Sequence, residues 1–480
     1  MHEHTSDIPE DSATLTGAVA DLMPQAISDL TELVSYRSVQ DPAVEDPEQC
    51  RLAAEWVRER LVELGLADTA LVRTPDGSDA VIGHYEGPPG AQRVLLYAHY
   101  DVQPAPAEGW RTDPFTLTFA DGRYYGRGAA DCKGSVVSHL TALRALRAVR
   151  GADPADPDPY PVSLTVVIEG SEEQGTAGLE QYVAAHPEEF SADVILIQDT
   201  GNVKVGQPTL TTALRGMVDV TVRVESLAGQ LHSGAFGGAA PDALAALIAM
   251  LASLKDDRGN TTIDGLDATG TWPGAPYDEA AFRADARMLE SAEVTGSGTV
   301  ADMLWARPAV TVLGIDAPAV VGSVPAIQPS AAARVSLRVP PGVDTDDAAE
   351  KLQAHLRRAA PWGVRVATEL AGQGSAFGAR TDTEAFALLK QALTDAFGTP
   401  TITSGQGGSI PLTAALASAQ PDASIVMLGL SDPASQMHAA NESVHPGELE
   451  NMAAAVAMFL QRLGERGITA DTAGRVPRSR

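Results

Sequence analysis

Residues 93–105 read RVLLYAHYDVQPA, and residues 124–134 read YYGRGAADCKG. The apolar run at 94–97 is long enough for a buried strand. Just beyond it stand His99 and Asp101, which period-two alternation turns to the same side. A neutral imidazole is a good zinc ligand, and a carboxylate behind it can fix the tautomer that presents the free nitrogen. In the second segment Gly126, Gly128 and Gly134 surround Asp131 and Lys133, a loop able to bring a carboxylate close to whatever His99 holds. A surface His-x-Asp is commonplace, so the pair gains meaning only with partners from elsewhere. GRGAAD has the look of a nucleotide loop, but it lacks the third glycine of GxGxxG and any Gly-Lys-Ser/Thr ending, and that reading is rejected.

Around this stretch, strands and helices alternate. Segments 80–85 and 93–97 read as strands, 26–36 and 49–64 as helices, and a helix is expected from 134 to about 148. The clearest strand, 162–168, ends in Glu169, Gly170, Ser171, Glu172 and Glu173; a helix at 177–185 and a strand at 194–198 follow, the latter ending at Asp199. This alternation implies an α/β fold with a mixed, largely parallel sheet flanked by helices. The polar residues lie just past strand C-termini, where open α/β sheets place ligands. From about residue 215 the texture changes. Strands at 217–224, 309–314, 333–339 and 364–369, with helices at 242–254 and 345–358, give the β-α-β-β-α-β order of a split plait. The domains are therefore expected to be 1–212 and 375–480 as a catalytic domain, with 213–374 as an inserted ferredoxin-like α+β domain. The first fifteen residues and the last ten read as tails.

A chain of 480 residues exceeds what one hydrophobic core usually supports, in keeping with two domains. The formal net charge of −29 argues against nucleic acid or an anionic membrane as partner. The longest apolar stretch, 243–254, falls short of the roughly 20 residues a bilayer requires. Cys50 and Cys132 are the only cysteines, which excludes a disulfide framework and a cysteine-based zinc site. No secretory signal is visible at the N-terminus, and a reducing cytoplasm is the expected location.

Adjacent glutamates after a strand are usually solvated. Glu172 and Glu173 follow a fully apolar strand and precede a glycine-containing turn, so one can ligate a metal while its neighbour faces water. Asp199 supplies another oxygen at the same sheet edge, and His438 in MHAANESV is the second candidate imidazole. His99, Asp131, Glu173, Asp199 and His438 make two nitrogen and three carboxylate ligands. If Asp131 bridges, each of two metals has three protein ligands and keeps a position for water.

The segments YAHYDVQPA, GRGAADCKG, EGSEEQG, the Asp199 strand end, LHSGAFGG and HAANE resemble, in order, the di-zinc aminopeptidase and carboxypeptidase superfamily of aminoacylase, glutamate carboxypeptidase and succinyl-diaminopimelate desuccinylase. HYDVQPA, LHSGAFGG and GGSIP point to its carnosinase and cytosolic non-specific dipeptidase branch. The resemblance implies one metal held by His99, Asp131 and Asp199, and a second by Asp131, Glu173 and His438. It makes Asp101 the partner of His99, Glu172 the general base and the Asp131–Cys132 peptide cis, with Cys132 a backbone position and not a ligand. It gives His232 to the active site of the partner subunit in a homodimer, as donor to the developing oxyanion. Arg338, Gly408 and Ser409 match positions that hold a substrate carboxylate. Zinc is the expected metal, with manganese or cobalt as alternatives. Two departures bear on the substrate: QDTGN around Asp199 lacks a tyrosine that relatives carry there, and AIQP at 326–329 replaces a more usual TVIP.

The expected reaction is hydrolysis of a dipeptide or short peptide. An N-acyl-amino-acid deacylase could use the same centre, and a non-catalytic dimeric binding protein is the remote alternative. A serine hydrolase is disfavoured because no G-x-S-x-G occurs.

Overall fold

Four strands in parallel register form the middle of the main sheet: Ser163–Glu169, Arg93–His99, Val194–Gln198 and Ser424–Leu428, in that spatial order. Asp79–Tyr85 pairs antiparallel on one side, followed by Ala70–Arg73, and Thr209–Leu214 pairs antiparallel on the other. The structure, a computed structural model, describes residues 10–151, 158–408 and 410–466. Along Arg93–His99, Val94, Leu96 and Ala98 join the core packed by helices Glu10–Ser35, Lys133–Arg150, Glu384–Phe397 and Pro446–Arg466. Tyr97 and His99 therefore face the other way, as the two-residue period demands. These strands are buried on both faces, which is why they read as apolar runs and not as alternating ones.

The first helix starts at Glu10, well inside the stretch that the sequence gives to a tail. Leu15, Val19, Ala26, Leu30 and Leu33 recur at helical spacing and are buried. Pro24 lies within this helix, and an interior proline ordinarily marks a start or a break, so the apolar spacing before it is easily missed. The other expected tail, 471–480, lies outside the described residues.

The chain divides into two compact units. One comprises the chain up to Thr212, Ala379–Thr403 and the chain from Ala415 on; the other comprises Ala213–Gly378 and Ser404–Ala414. The second unit thus takes in 375–378 and 404–414, which the sequence reading gives to the first. Trp305 explains the latter segment: a Cβ at Gly405 would lie 2.5 Å from its indole, so this glycine lets the loop sit against a buried side chain of the second unit. That unit is a four-stranded antiparallel sheet in the order Ala309–Asp316, Ser330–Val339, Gly216–Glu225, Arg365–Gly374. Helices Ala243–Ala252 and Thr345–Arg358 cover it, and Val218, Val220, Val222, Leu247, Val335 and Leu352 fill the space between. Both helices open on an aspartate cap, Asp242 and Asp344.

Candidate metal centre

In the first unit, the C-terminal ends of three neighbouring parallel strands deliver the chemistry. His99 closes Arg93–His99, Glu172 and Glu173 form a 3-10 turn three residues beyond Ser163–Glu169, and Asp199 follows Val194–Gln198. Asp131 comes from the loop before helix Lys133–Arg150, and the Asp131–Cys132 peptide is cis. Gly134 lets that loop close on itself, since a Cβ there would lie 2.2 Å from the Ala129 carbonyl oxygen. His438 sits in the left-handed region at φ 59°, a conformation that a histidine keeps only where its surroundings enforce it.

Asp131 stands between the two imidazoles. Its Oδ1 is 3.2 Å from His99 Nε2 and its Oδ2 is 2.9 Å from His438 Nε2. Asp199 Oδ1 lies 3.3 Å from His99 Nε2, and Glu173 Oε2 lies 3.0 Å from His438 Nε2. Two clusters result, with Asp131 in both: His99 with Asp131 and Asp199, and His438 with Asp131 and Glu173. Among the described residues no arginine or lysine forms an ion pair with any of these carboxylates. Three acids gathered on two imidazoles suit divalent cations, and the mix of imidazole and carboxylate donors suits zinc, manganese or cobalt. Cys132 Sγ also lies close to His99 and Asp199. It donates to the Gln198 carbonyl oxygen at 3.1 Å and is fully buried, with its thiol pushed well up by that burial.

Charge follows from these contacts. Hydrogen bonds to Asp131 and then Glu173 raise the His438 imidazole to about 10. Burial works against the Asp131 carboxylate, yet hydrogen bonds from His438 and His99 hold it well below the usual range. Burial, and next the negative Asp199, push the Glu172 carboxyl well up. Glu172 is also the one carboxylate of the group with no ion pair to either histidine among the described residues.

Asp101 does more than back a ligand. Its carboxylate oxygens accept the N–H groups of Glu172 at 3.2 Å and Glu173 at 3.0 Å, so it holds the turn that carries both glutamates. His99 Nδ1 is 3.1 Å from the Asp101 backbone oxygen and 3.4 Å from its Oδ1. Two further residues were not singled out from the sequence. Gln103 Nε2 donates to Glu173 Oε2 at 2.9 Å and to the Glu173 carbonyl oxygen at 3.0 Å. Glu442 Oε1 accepts the N–H groups of Ala130 and Asp131, both at 3.1 Å, while its Oε2 takes Arg127 Nη1 at 2.6 Å. The Arg127–Glu442 pair is almost fully buried, and removing one partner from such a pair typically costs about 3–5 kcal/mol. Gln103 and Glu442 stand inside quoted motifs, HYDVQPA and HAANE, which was the available signal; the role of Glu442 depends on an approach across more than 300 residues.

His232 and Arg338 belong to the second unit. His232 is exposed at the end of a two-residue strand, opposite Ala326. Its Nδ1 accepts the Gly234 N–H at 3.1 Å, so in the neutral ring Nε2 carries the proton and is a donor. Arg338 lies on Ser330–Val339 between Ala309 and Met217. Gly408 is exposed in the loop after strand Ile402–Gln406, and Ser409 lies outside the described residues.

The family model for peptidase family M20/M25/M40 matches residues 95–462. The chain is 44% identical over 443 residues to a cysteinylglycine-S-conjugate dipeptidase of Corynebacterium striatum, covering 91% of this chain and 95% of that protein. It is 27% identical over 477 residues to the Cys-Gly metallodipeptidase DUG1 of Saccharomyces cerevisiae, covering 92% and 96% respectively. Human carnosine dipeptidase 1 has the same fold, with a TM-score of 0.76 at 24% identity over 95% of this chain and 99% of that one. Metallopeptidases of the M20 family bind two metal ions, and two groups of potential metal ligands occur here, His99 with Cys132 and Asp199, and Asp131 with Glu173 and His438. The chain belongs to peptidase family M20/M25/M40 and is a metallopeptidase.

Proposed function

We propose that the protein hydrolyses dipeptides with a free N-terminal amino group, and that cysteinylglycine and its S-conjugates are among them. The observation that carries the reading is Asp131 placed between His99 and His438, one oxygen to each. The substrate class rests on the 44% identical dipeptidase.

His99, Asp131 and Asp199 would hold one ion and Asp131, Glu173 and His438 the other, with zinc the favoured metal. Bound there, the pair supplies Lewis-acid chemistry, which makes water acidic enough to be a nucleophile near neutral pH. Glu172 takes the proton of the attacking water and passes it to the leaving amine. Its lack of an ion pair to either histidine among the described residues, in the same turn as Glu173, supports that role, since it leaves the carboxylate uncommitted beside the two imidazoles. Asp101 and Gln103 keep the glutamate turn in place while this proton moves. His232 would donate its Nε2–H to the oxyanion in the active site of the partner subunit, and Arg338, Gly408 and Ser409 would hold the C-terminal carboxylate.

A homodimer is supported by an apolar, exposed strand edge. Leu313 and Ile315 on Ala309–Asp316, an edge strand of its sheet, are 54% and 46% exposed, and Val320 and Val321 just beyond it are 91% and 93% exposed. Such patches ordinarily mark association surfaces. No described helix is long and apolar enough to cross a membrane. Cys50 and Cys132 are both free and buried, which suits the cytoplasm we propose as the location.

The competing deacylase reading differs in what it wants at the amino group. Acetylating the N-terminus of cysteinylglycine is expected to lower kcat/KM at least about 100-fold, as a site that pairs a buried polar group rejects analogues lacking it. Equal or faster hydrolysis of the acetylated compound, measured by release of glycine, would replace the dipeptidase reading with the deacylase one.

A further inference from the structure

The second unit contains a cavity that the hydrolytic reaction does not account for. Its volume is about 360 Å³, within the range of small-molecule sites. The polar stretch after residue 256 and the start of strand Ala309–Asp316 form its walls. Phe282, Met288, Val300, Met303, Leu304 and Val310 give it an apolar body. Three cations line it, Arg215, Lys255 and Arg307, against a single acid, Glu293. In a chain with a net charge of −29 that balance runs the other way from the surface.

The cations are not equivalent. Arg307 is already engaged, its Nε donating to the Gly270 carbonyl oxygen at 2.7 Å and its Nη1 to that of Ser297. Lys255 is exposed. Arg215 is different: its Nε and Nη1 are buried without a hydrogen-bond partner, and no carboxylate pairs with it among the described residues. Among the described residues only its backbone N–H makes a hydrogen bond, donating to the Gln406 carbonyl oxygen. At Gly407 a Cβ would stand 3.0 Å from Arg215 Nη2, so the glycine spares the guanidinium from crowding on that side. Burial, and next the charge of Arg338, lower the guanidinium to about 10, and it stays charged at neutral pH. A largely buried guanidinium with no carboxylate partner is costly unless an anion approaches the face it turns to the cavity.

We propose that this cavity binds a small carboxylate with an apolar body, the carboxylate on Arg215 and the body against Phe282, Met288 and Met303. One guanidinium without a carboxylate partner, in a lining with more cations than acids, matches a small carboxylate. The carboxylate can be that of the peptide substrate or product, or that of a separate ligand.

Phenylacetate is the probe, and phenylacetamide its uncharged counterpart of the same shape. With the metal-loaded full chain carrying ¹³C-methyl methionine, phenylacetate is expected to shift the Met288 and Met303 methyl signals saturably, the signals being assigned with Met288→Leu and Met303→Leu. It should bind at least about 10-fold more tightly than phenylacetamide, the scale of one charge-assisted contact. Arg215→Gln should abolish that preference and Arg215→Lys retain part of it, with circular dichroism melts confirming that both variants fold. Equal affinity for the two probes, shifts confined to other methionines, or an undiminished preference in Arg215→Gln would overturn the proposal. Adding glycyl-phenylalanine to Glu172→Gln protein separates the sources. Displacement of phenylacetate from Met288 and Met303 identifies the peptide carboxylate, whereas simultaneous binding identifies a separate ligand, and both outcomes support the site. The readout needs no turnover, so a failed dipeptidase assay would leave this result standing.

Discussion

Replacing Glu172 by glutamine is expected to lower kcat about 10²–10⁴-fold, the usual worth of a positioned general base, with both metal ions retained. The expectation follows from how the turn is built. Asp101 holds Glu172 through its backbone N–H, at 3.2 Å, and the 3-10 turn closes with the Gly175 N–H donating to the Glu172 carbonyl oxygen at 3.0 Å. Neither contact uses the side chain, so an isosteric amide leaves the turn intact. Glu173 beside it keeps its own contacts to Asp101, Gln103 and His438. Steady-state kinetics together with metal analysis of the purified variant check both halves. A kcat near the wild-type value would remove Glu172 from the mechanism, and loss of metal would make it a ligand instead of a base.

Asp131→Ala is expected to act more broadly. Its two oxygens face different histidines, so a single truncation strips a ligand from both sites at once. Metal content should fall below one ion per chain at concentrations that saturate the wild-type protein, and hydrolysis should fall to background. Glu173→Ala, whose carboxylate faces only His438, should spare the ion held by His99 and Asp199. Alanine is the informative choice at 131, because asparagine would keep an oxygen able to ligate. Elemental analysis after equilibrium dialysis distinguishes the outcomes, and an Asp131→Ala protein with one tightly held ion would show that the carboxylate does not serve both sites.

Much of this was legible in the chain because the chemical residues are anchored to strand ends. The runs 94–97, 162–168 and 194–198 are mostly apolar strands, and whatever follows such strands collects at one edge of a parallel sheet. The place of Asp131 between the two imidazoles could be framed from ligand counting alone, since five side chains serve two three-ligand sites only if one is shared. Positioning residues were a different matter. Gln103 and Glu442 look like ordinary polar letters inside their motifs, and their contacts to Glu173 and to the 130–131 backbone exist only after distant segments meet. The helix before residue 26 was hidden by Pro24, and the place of 404–414 depends on a side chain, Trp305, a hundred residues away. The idle guanidinium of Arg215 is invisible in a sequence, because whether an arginine has partners is a property of packing. The β-α-β-β-α-β order of the second unit, by contrast, survived in the alternating strand pattern of 217–224 and in the helical spacing of 345–358.

The account depends on two cations sharing Asp131, and anomalous diffraction from crystals of the metal-loaded protein addresses that directly. Data collected on either side of the zinc absorption edge should show two peaks per chain, one contacted by His99 and Asp199, the other by Glu173 and His438, with Asp131 touching both. A single peak, or two peaks of which one leaves His438 or Asp131 without a metal contact, would contradict it.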